Sequence, residues 1–128
     1  MLPEPSKATL SRFILESSRI SGGRANYRAF LPPPDLQLST FNVDNLTADG
    51  IWKIGDTIRL QQRKHELHGR ADLLAEAVYA LNLRPLRDDH PPRHVVIVDW
   101  PTDKAHQRNK AQLLAAASDF VPRSVAQL

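Results

Sequence analysis

The chain has no cysteine, which excludes disulfides, thiolate metal sites and thiol nucleophiles. It also lacks long hydrophobic runs. The longest β-branched run is Val95-Val96-Ile97-Val98, and no aliphatic stretch exceeds five residues, far short of the roughly 20 apolar residues a membrane helix needs. The N-terminus, Met1-Leu2-Pro3-Glu4-Pro5-Ser6-Lys7, shows neither the basic start nor the apolar core of a secretory signal. The expected setting is the reducing cytoplasm, with no membrane partner. Nor is there a strong excess of one charge: 17 Lys and Arg against 14 Asp and Glu leave +3, and all of it falls within residues 1–64. Such a balance allows a nucleic acid or an acidic protein as partner, but it is not the dense basic face of a nucleic-acid module.

What is present suits one folded domain. With 128 residues, 41% hydrophobic and 24% charged, the chain is long enough to bury a core of its own. We expect a flexible N-terminus over residues 1–9, a single domain over 10–120 and a C-terminal tail over 121–128. Ten prolines punctuate it and no repeat is evident.

Residues 10–20 carry the apolar run Phe13-Ile14-Leu15 and lead into Ser21-Gly22-Gly23, a turn signal that predicts a hairpin. Its second strand is expected over 26–31, stopped by Pro32-Pro33-Pro34, which offer no backbone N–H. A third strand follows over 36–43, where the apolar phase shifts between Leu38 and Phe41 and suggests a bulge near Ser39-Thr40. Thr47 suits the cap of a first helix, with Leu46 placed to pack on Ile51. Residues 61–69 read as a loop. Asp72 then suits the start of a second helix, because Leu73, Leu74, Ala77, Val78 and Leu81 recur at helical spacing. Residues 84–93 read as a Pro-rich loop, and 94–99 as a strand buried on both faces. Pro101 and Asp103 open a last helix ending near Ser118. The fold class expected is α+β: an antiparallel sheet of about four strands in the order β-β-β-α-α-β-α, with helices on one face.

Three segments carry a resemblance. Tyr27-Arg28-Ala29-Phe30-Leu31-Pro32, then Leu67-His68-Gly69-Arg70-Ala71-Asp72-Leu73, then Pro91-Pro92-Arg93-His94 with Ile97, Trp100-Pro101, Asp103-Lys104 and Gln107 resemble, in this order, a group of short uncharacterised bacterial proteins. That resemblance implies a bacterial origin and a shared fold, and it implies no mechanism.

The chemical clue is histidine. All five lie between His65 and His106, crowded beside Arg and Asp, and imidazole both titrates near neutrality and binds metals. A metal site would draw on His65, His68, His90, His94, Asp72, Asp88 and Asp89, but the spacing matches no zinc pattern, so no metal and no cofactor are expected. Metal-free phosphodiester chemistry would use His68 and His94 as base and acid and Arg70 to stabilise charge, as in a small nuclease or toxin. Binding without chemistry is the leading expectation: an accessory protein recognising an anionic ligand or macromolecule through Arg93, His94, Lys104 and Arg108. Lys104 and Arg108 sit against the dipole of the last helix unless an anion lies between them. Trp52 and Trp100 read as core rather than as a base-stacking platform.

Overall fold

Seven strands form one wholly antiparallel sheet in the computed structural model, which describes residues 1–124. In chain order these strands are β1 (Leu2–Pro3), β2 (Thr9–Ile14), β5 (Leu38–Asn42), β6 (Gly69–Leu74), β7 (Arg84–Arg87), β8 (His94–Val98) and β9 (Asp119–Pro122), while β3 (Ile20–Ser21) and β4 (Arg24–Ala25) make a separate two-stranded hairpin. The helices are α1 (Ala48–Gln61), α2 (Ala75–Tyr79) and α3 (Lys104–Ala117). Across the sheet the order is β1-β7-β8-β5-β2-β6-β9. The class is α+β as expected, but the sheet has seven strands, not about four.

Alternation along the strands separates two cores. Leu10, Ile14, Leu38, Ala71, Leu73, Val95 and Ile97 face α2 and α3, where Val78, Ala111 and Leu114 meet them. Phe13, Phe41 and Val121 face the other way and pack with Ile51 and Trp52 of α1. Helices therefore cover both faces, not one. A sheet whose central strands are apolar on both sides needs both covers to keep that surface from water.

Helix ends follow their caps. The Thr47 hydroxyl accepts from the Gly50 amide at 3.1 Å, and the Asp103 carboxylate accepts from the His106 amide at 3.1 Å. Gly55 lets α1 approach closely: a Cβ there would lie 2.7 Å from Leu67 Cδ2 and 2.8 Å from the Phe13 ring.

Four further expectations are corrected. Residues 27–29 form a short 3-10 turn capped by Asn26, whose side chain accepts from the Arg28 amide, so the hairpin closes at Gly22-Gly23 with two-residue arms. Residues 69–74 are a strand, not the start of a helix. They alternate Gly69, Ala71 and Leu73 against Arg70 and Asp72 between β2 and β9, and Leu74, which suggested helical spacing, is exposed. Part of the supposed Pro-rich loop is β7, paired with β8 and β1. The register of β5 against β8 runs unbroken through Ser39 and Thr40, without a bulge. Near the two ends of the described residues β1 pairs with β7, Glu4 is buried, and β9 pairs with β6 as far as Pro122. Residues 125–128 of the expected tail lie outside the described residues.

Candidate functional site

Strands β2 and β5 are registered only through Leu10–Asn42 and Ser11–Phe41. Beyond that point Arg12 takes the place of ladder bonds. Its Nε donates to the Ala29 carbonyl at 2.8 Å and its Nη1 to the Ser39 carbonyl at 3.1 Å. The guanidinium thus joins β2, β5 and the 3-10 turn, and it lines a cavity of about 580 Å³ shared with Arg19, Arg28, Glu16, Gln37, Ser39, Gln62 and the Leu31-Pro32-Pro33 loop. An inner recess of about 100 Å³ adds Phe13, Leu15, Phe41 and Ile58.

Electrostatics at this cavity is one-sided. Burial, then the neighbouring Arg19 charge, pull the Arg12 guanidinium down to about 10, since both disfavour its charged form. Glu16, the one acid on the wall, is turned to Lys64 at 3.0 Å, and that hydrogen bond, helped by the charges of Arg19 and Lys64, holds its carboxyl below the ordinary range. Arg28 lies over the Tyr27 ring, 5.1 Å from its centroid. Among the described residues no carboxylate pairs with Arg12, Arg19 or Arg28 at ion-pair distance.

A second chain of contacts begins on the cavity wall. Ser39 Oγ lies 2.7 Å from His94 Nε2, and His94 Nδ1 lies 2.9 Å from Asp88 Oδ1. Burial raises the Asp88 carboxyl, but the His90 amide and the His94 side chain outweigh it and leave it below the ordinary range. An ionised carboxylate only accepts, so Nδ1 carries the proton toward Asp88, and in the neutral ring Nε2 accepts from the Ser39 hydroxyl. The loop before β8 fixes this arrangement. Arg93 has φ +70°, the His94 amide donates to the Pro91 carbonyl at 3.0 Å, and the Asp88 amide donates to the His94 carbonyl at 3.2 Å. Phe41 packs against the imidazole with ring centroids 5.3 Å apart.

The residues singled out from sequence do not form one site. His94 and Phe41 pair, Phe41 pairs with Ser11, and Ser11 with Asp72, so β5 and β2 lie between His94 and the β6 residue Arg70. Three strand spacings amount to about 14 Å, and His68 precedes β6 on that same far side. Arg70 has its own role: it donates to Asp72 at 3.1 Å, Asp72 accepts from Ser11, and the Arg70 guanidinium lies 4.6 Å from the Trp52 ring. Trp52 is flanked by Arg123 as well, at 5.0 Å, and Arg123 grips Asp56 with both nitrogens. This cluster pins α1 to the sheet. Arg93 donates to the carbonyls of Asn42 and Asp44 at 3.2 and 3.0 Å. Lys104 and Arg108 are exposed and follow the opposite end of β8 from His94. Among the described residues no group of three or more His, Asp or Glu is placed to hold a metal ion, and no helix is long and apolar enough to cross a membrane.

Arg12 and Ser39 were missed by sequence reasoning. The available signal for Arg12 was a lone cation inside the apolar run from Leu10 to Leu15; Ser39 gave none. No family model, curated protein or solved structure matches the chain.

Proposed function

We propose that this chain is a small cytoplasmic binding protein whose ligand is a compact anion, phosphate- or carboxylate-bearing, held in the cavity of Arg12, Arg19 and Arg28. The observation that carries this reading is the half-buried Arg12 guanidinium, fixed on the cavity wall beside Arg19 and without a carboxylate partner among the described residues. A guanidinium partly withdrawn from water without a counter-charge is destabilised, and a bound anion offsets that cost with charge-assisted hydrogen bonds. The cytoplasmic placement rests on the cysteine-free composition.

The surface of Arg93, His94, Lys104 and Arg108 is supported less well. Arg93 and His94 are already engaged with backbone carbonyls, Ser39 and Asp88, and an extended polyanion would be needed to join them to Lys104 and Arg108.

Titration with pyrophosphate and with citrate, followed by thermal unfolding, tests the reading. A saturable rise in Tm is expected, worth about 2.7 kcal/mol at a hundredfold excess over Kd, and it should vanish in an Arg19→Ala, Arg28→Ala double variant that unfolds at the parent temperature without ligand. An unshifted Tm in the parent, or an equal shift in the double variant, removes the cavity as the site.

A further inference from the structure

We infer that Ser39, His94 and Asp88 form a nucleophilic relay opening on the cationic cavity, and that its substrate is a phosphodiester whose charge is met by Arg12, Arg19 and Arg28. The inference rests on the anion reading for its substrate class and on separate geometry for its chemistry.

Serine is a poor nucleophile until a base stands ready to take its proton. Here the base is in place: Nε2 of His94 is 2.7 Å from Ser39 Oγ, and Asp88 at 2.9 Å from Nδ1 fixes the ring so that Nε2 faces the hydroxyl. These three residues come from two strands and a loop, and the carboxylate stays ionised against its own partial burial. Ser39 is half-buried and lines both the cavity and the inner recess, whereas the His94 side chain is only 14% exposed and is covered on one side by Phe41. A tie that merely held β5 to the loop before β8 would not need Ser39 on the wall of a cavity lined with three arginines. Phosphoryl chemistry fits this wall better than acyl chemistry because guanidinium groups match both the resting charge of a phosphodiester and the charge that builds on its oxygens in the transition state.

The step balances without metal or cofactor. Ser39 Oγ attacks phosphorus as its proton passes to His94 Nε2; the bond from phosphorus to the leaving oxygen breaks, and His94 returns that proton to the departing alkoxide. Water then attacks the phosphoseryl diester, His94 takes one of its protons, and Ser39 leaves and recovers the proton from His94. The products are a phosphomonoester and an alcohol. Asp88 acts as a positioning residue throughout and remains a carboxylate.

Two probes separate this inference from the anion reading. Diisopropyl fluorophosphate is uncharged, so it reports the nucleophile without the arginines. Mass spectrometry should show the diisopropylphosphoryl group on Ser39, with a labelling rate at least 10²-fold lower in His94→Ala and lowered also in Asp88→Asn, both compared at matched Tm so that a loosened fold is not mistaken for a lost base. Absence of label on the folded parent, or equal labelling of the parent and of both variants, overturns the relay. Hydrolysis of bis(p-nitrophenyl) phosphate should be lost in Ser39→Ala, and a parent that labels at Ser39 yet releases no nitrophenol overturns the phosphodiester assignment. A rise without labelling sinks the relay alone, and labelling without a rise sinks the anion site and the phosphodiester assignment with it, leaving the nucleophile.

Discussion

Arg12 and Ser39 are tied directly, with a guanidinium nitrogen of Arg12 donating to the Ser39 carbonyl at 3.1 Å while Nε donates to Ala29 at 2.8 Å. Two strands that have stopped pairing are thus held by one planar fork. Lysine keeps the charge but cannot reproduce two donors in that geometry. Arg12→Lys should therefore lower stability by about 1–3 kcal/mol through the carbonyl left unsatisfied. The check is urea unfolding, with a lower midpoint and an unchanged m-value.

Ile97 is fully buried in β8 and lies opposite Leu38 and Pro85 on the neighbouring strands. Ile97→Asp places an unpaired carboxylate between β5 and β7, at a cost of several kcal/mol, a large part of the stability of a domain this size. Loss of the cooperative thermal transition is expected. A variant that melts with the parent would show that β8 is not at the centre of the core.

Gly69 marks a tighter constraint. A Cβ at this position would lie 2.6 Å from the Val121 carbonyl oxygen and 2.7 Å from the Phe120 ring, and backbone cannot swing aside as a side chain can. Gly69→Ala should destabilise by about 1–3 kcal/mol, as overpacking does, and should loosen β9 first. Amide exchange at residues 120–122, faster than in the parent, is the measurement.

Sequence and structure agree where one local signal decides the outcome. Thr47 caps the first helix, Asp103 stands at the positive end of the last one although Pro101 falls before it rather than in its first turn, residues 95–97 are buried on both faces of β8, and Gly22-Gly23 makes a turn. They part where tertiary pairing overrides local spacing. Leu73 and Leu74 look like neighbours on a helix, yet β2 and β9 on either side draw residues 69–74 into the sheet. Residues 84–87 form β7 despite Pro85, because Pro85 contributes its carbonyl to Glu4 and needs no donor of its own there. The candidate site was the least legible part. His94 and Asp88 stand out as residue types in one stretch, but Ser39 reaches them only through the β5–β8 register, and Arg12 enters only because β2 parts from β5.

Asp88 gives the protein an acid-sensitive contact. Its carboxyl is held below the ordinary range in the folded state, so the folded chain keeps this charge to lower pH than the unfolded chain does. The stabilisation is complete above the ordinary aspartate range and is lost as pH falls through the folded value. Asp88→Asn should therefore melt below the parent at pH 7 and converge on it between about pH 5 and 2. A constant gap in Tm over that interval would assign the effect to shape rather than charge.

Lys104 and Arg108 offer the cleanest division between two anion surfaces. Lys104 lines a separate cavity of about 340 Å³ with Thr102, Gln107 and the residues Pro32, Pro33, Pro34 and Leu36. The proline loop stands between this cavity and the one holding Arg12, since Pro32 and Pro33 line both. Both cations are exposed at the start of α3, where they oppose the helix dipole. Reversing them in a Lys104→Glu, Arg108→Glu variant removes that opposition, so the ligand-free stability should hold or rise by a few tenths of a kcal/mol per site. The pyrophosphate-dependent shift should persist in moderate salt, because the proline loop stands between Lys104 and the Arg12 cavity and salt screens exposed charges. Loss of that shift would move the anion site from the β2–β5 gap to the start of α3, while retention with a weaker hold on a heparin matrix would leave the cavity in place and assign polyanion adhesion to the helix.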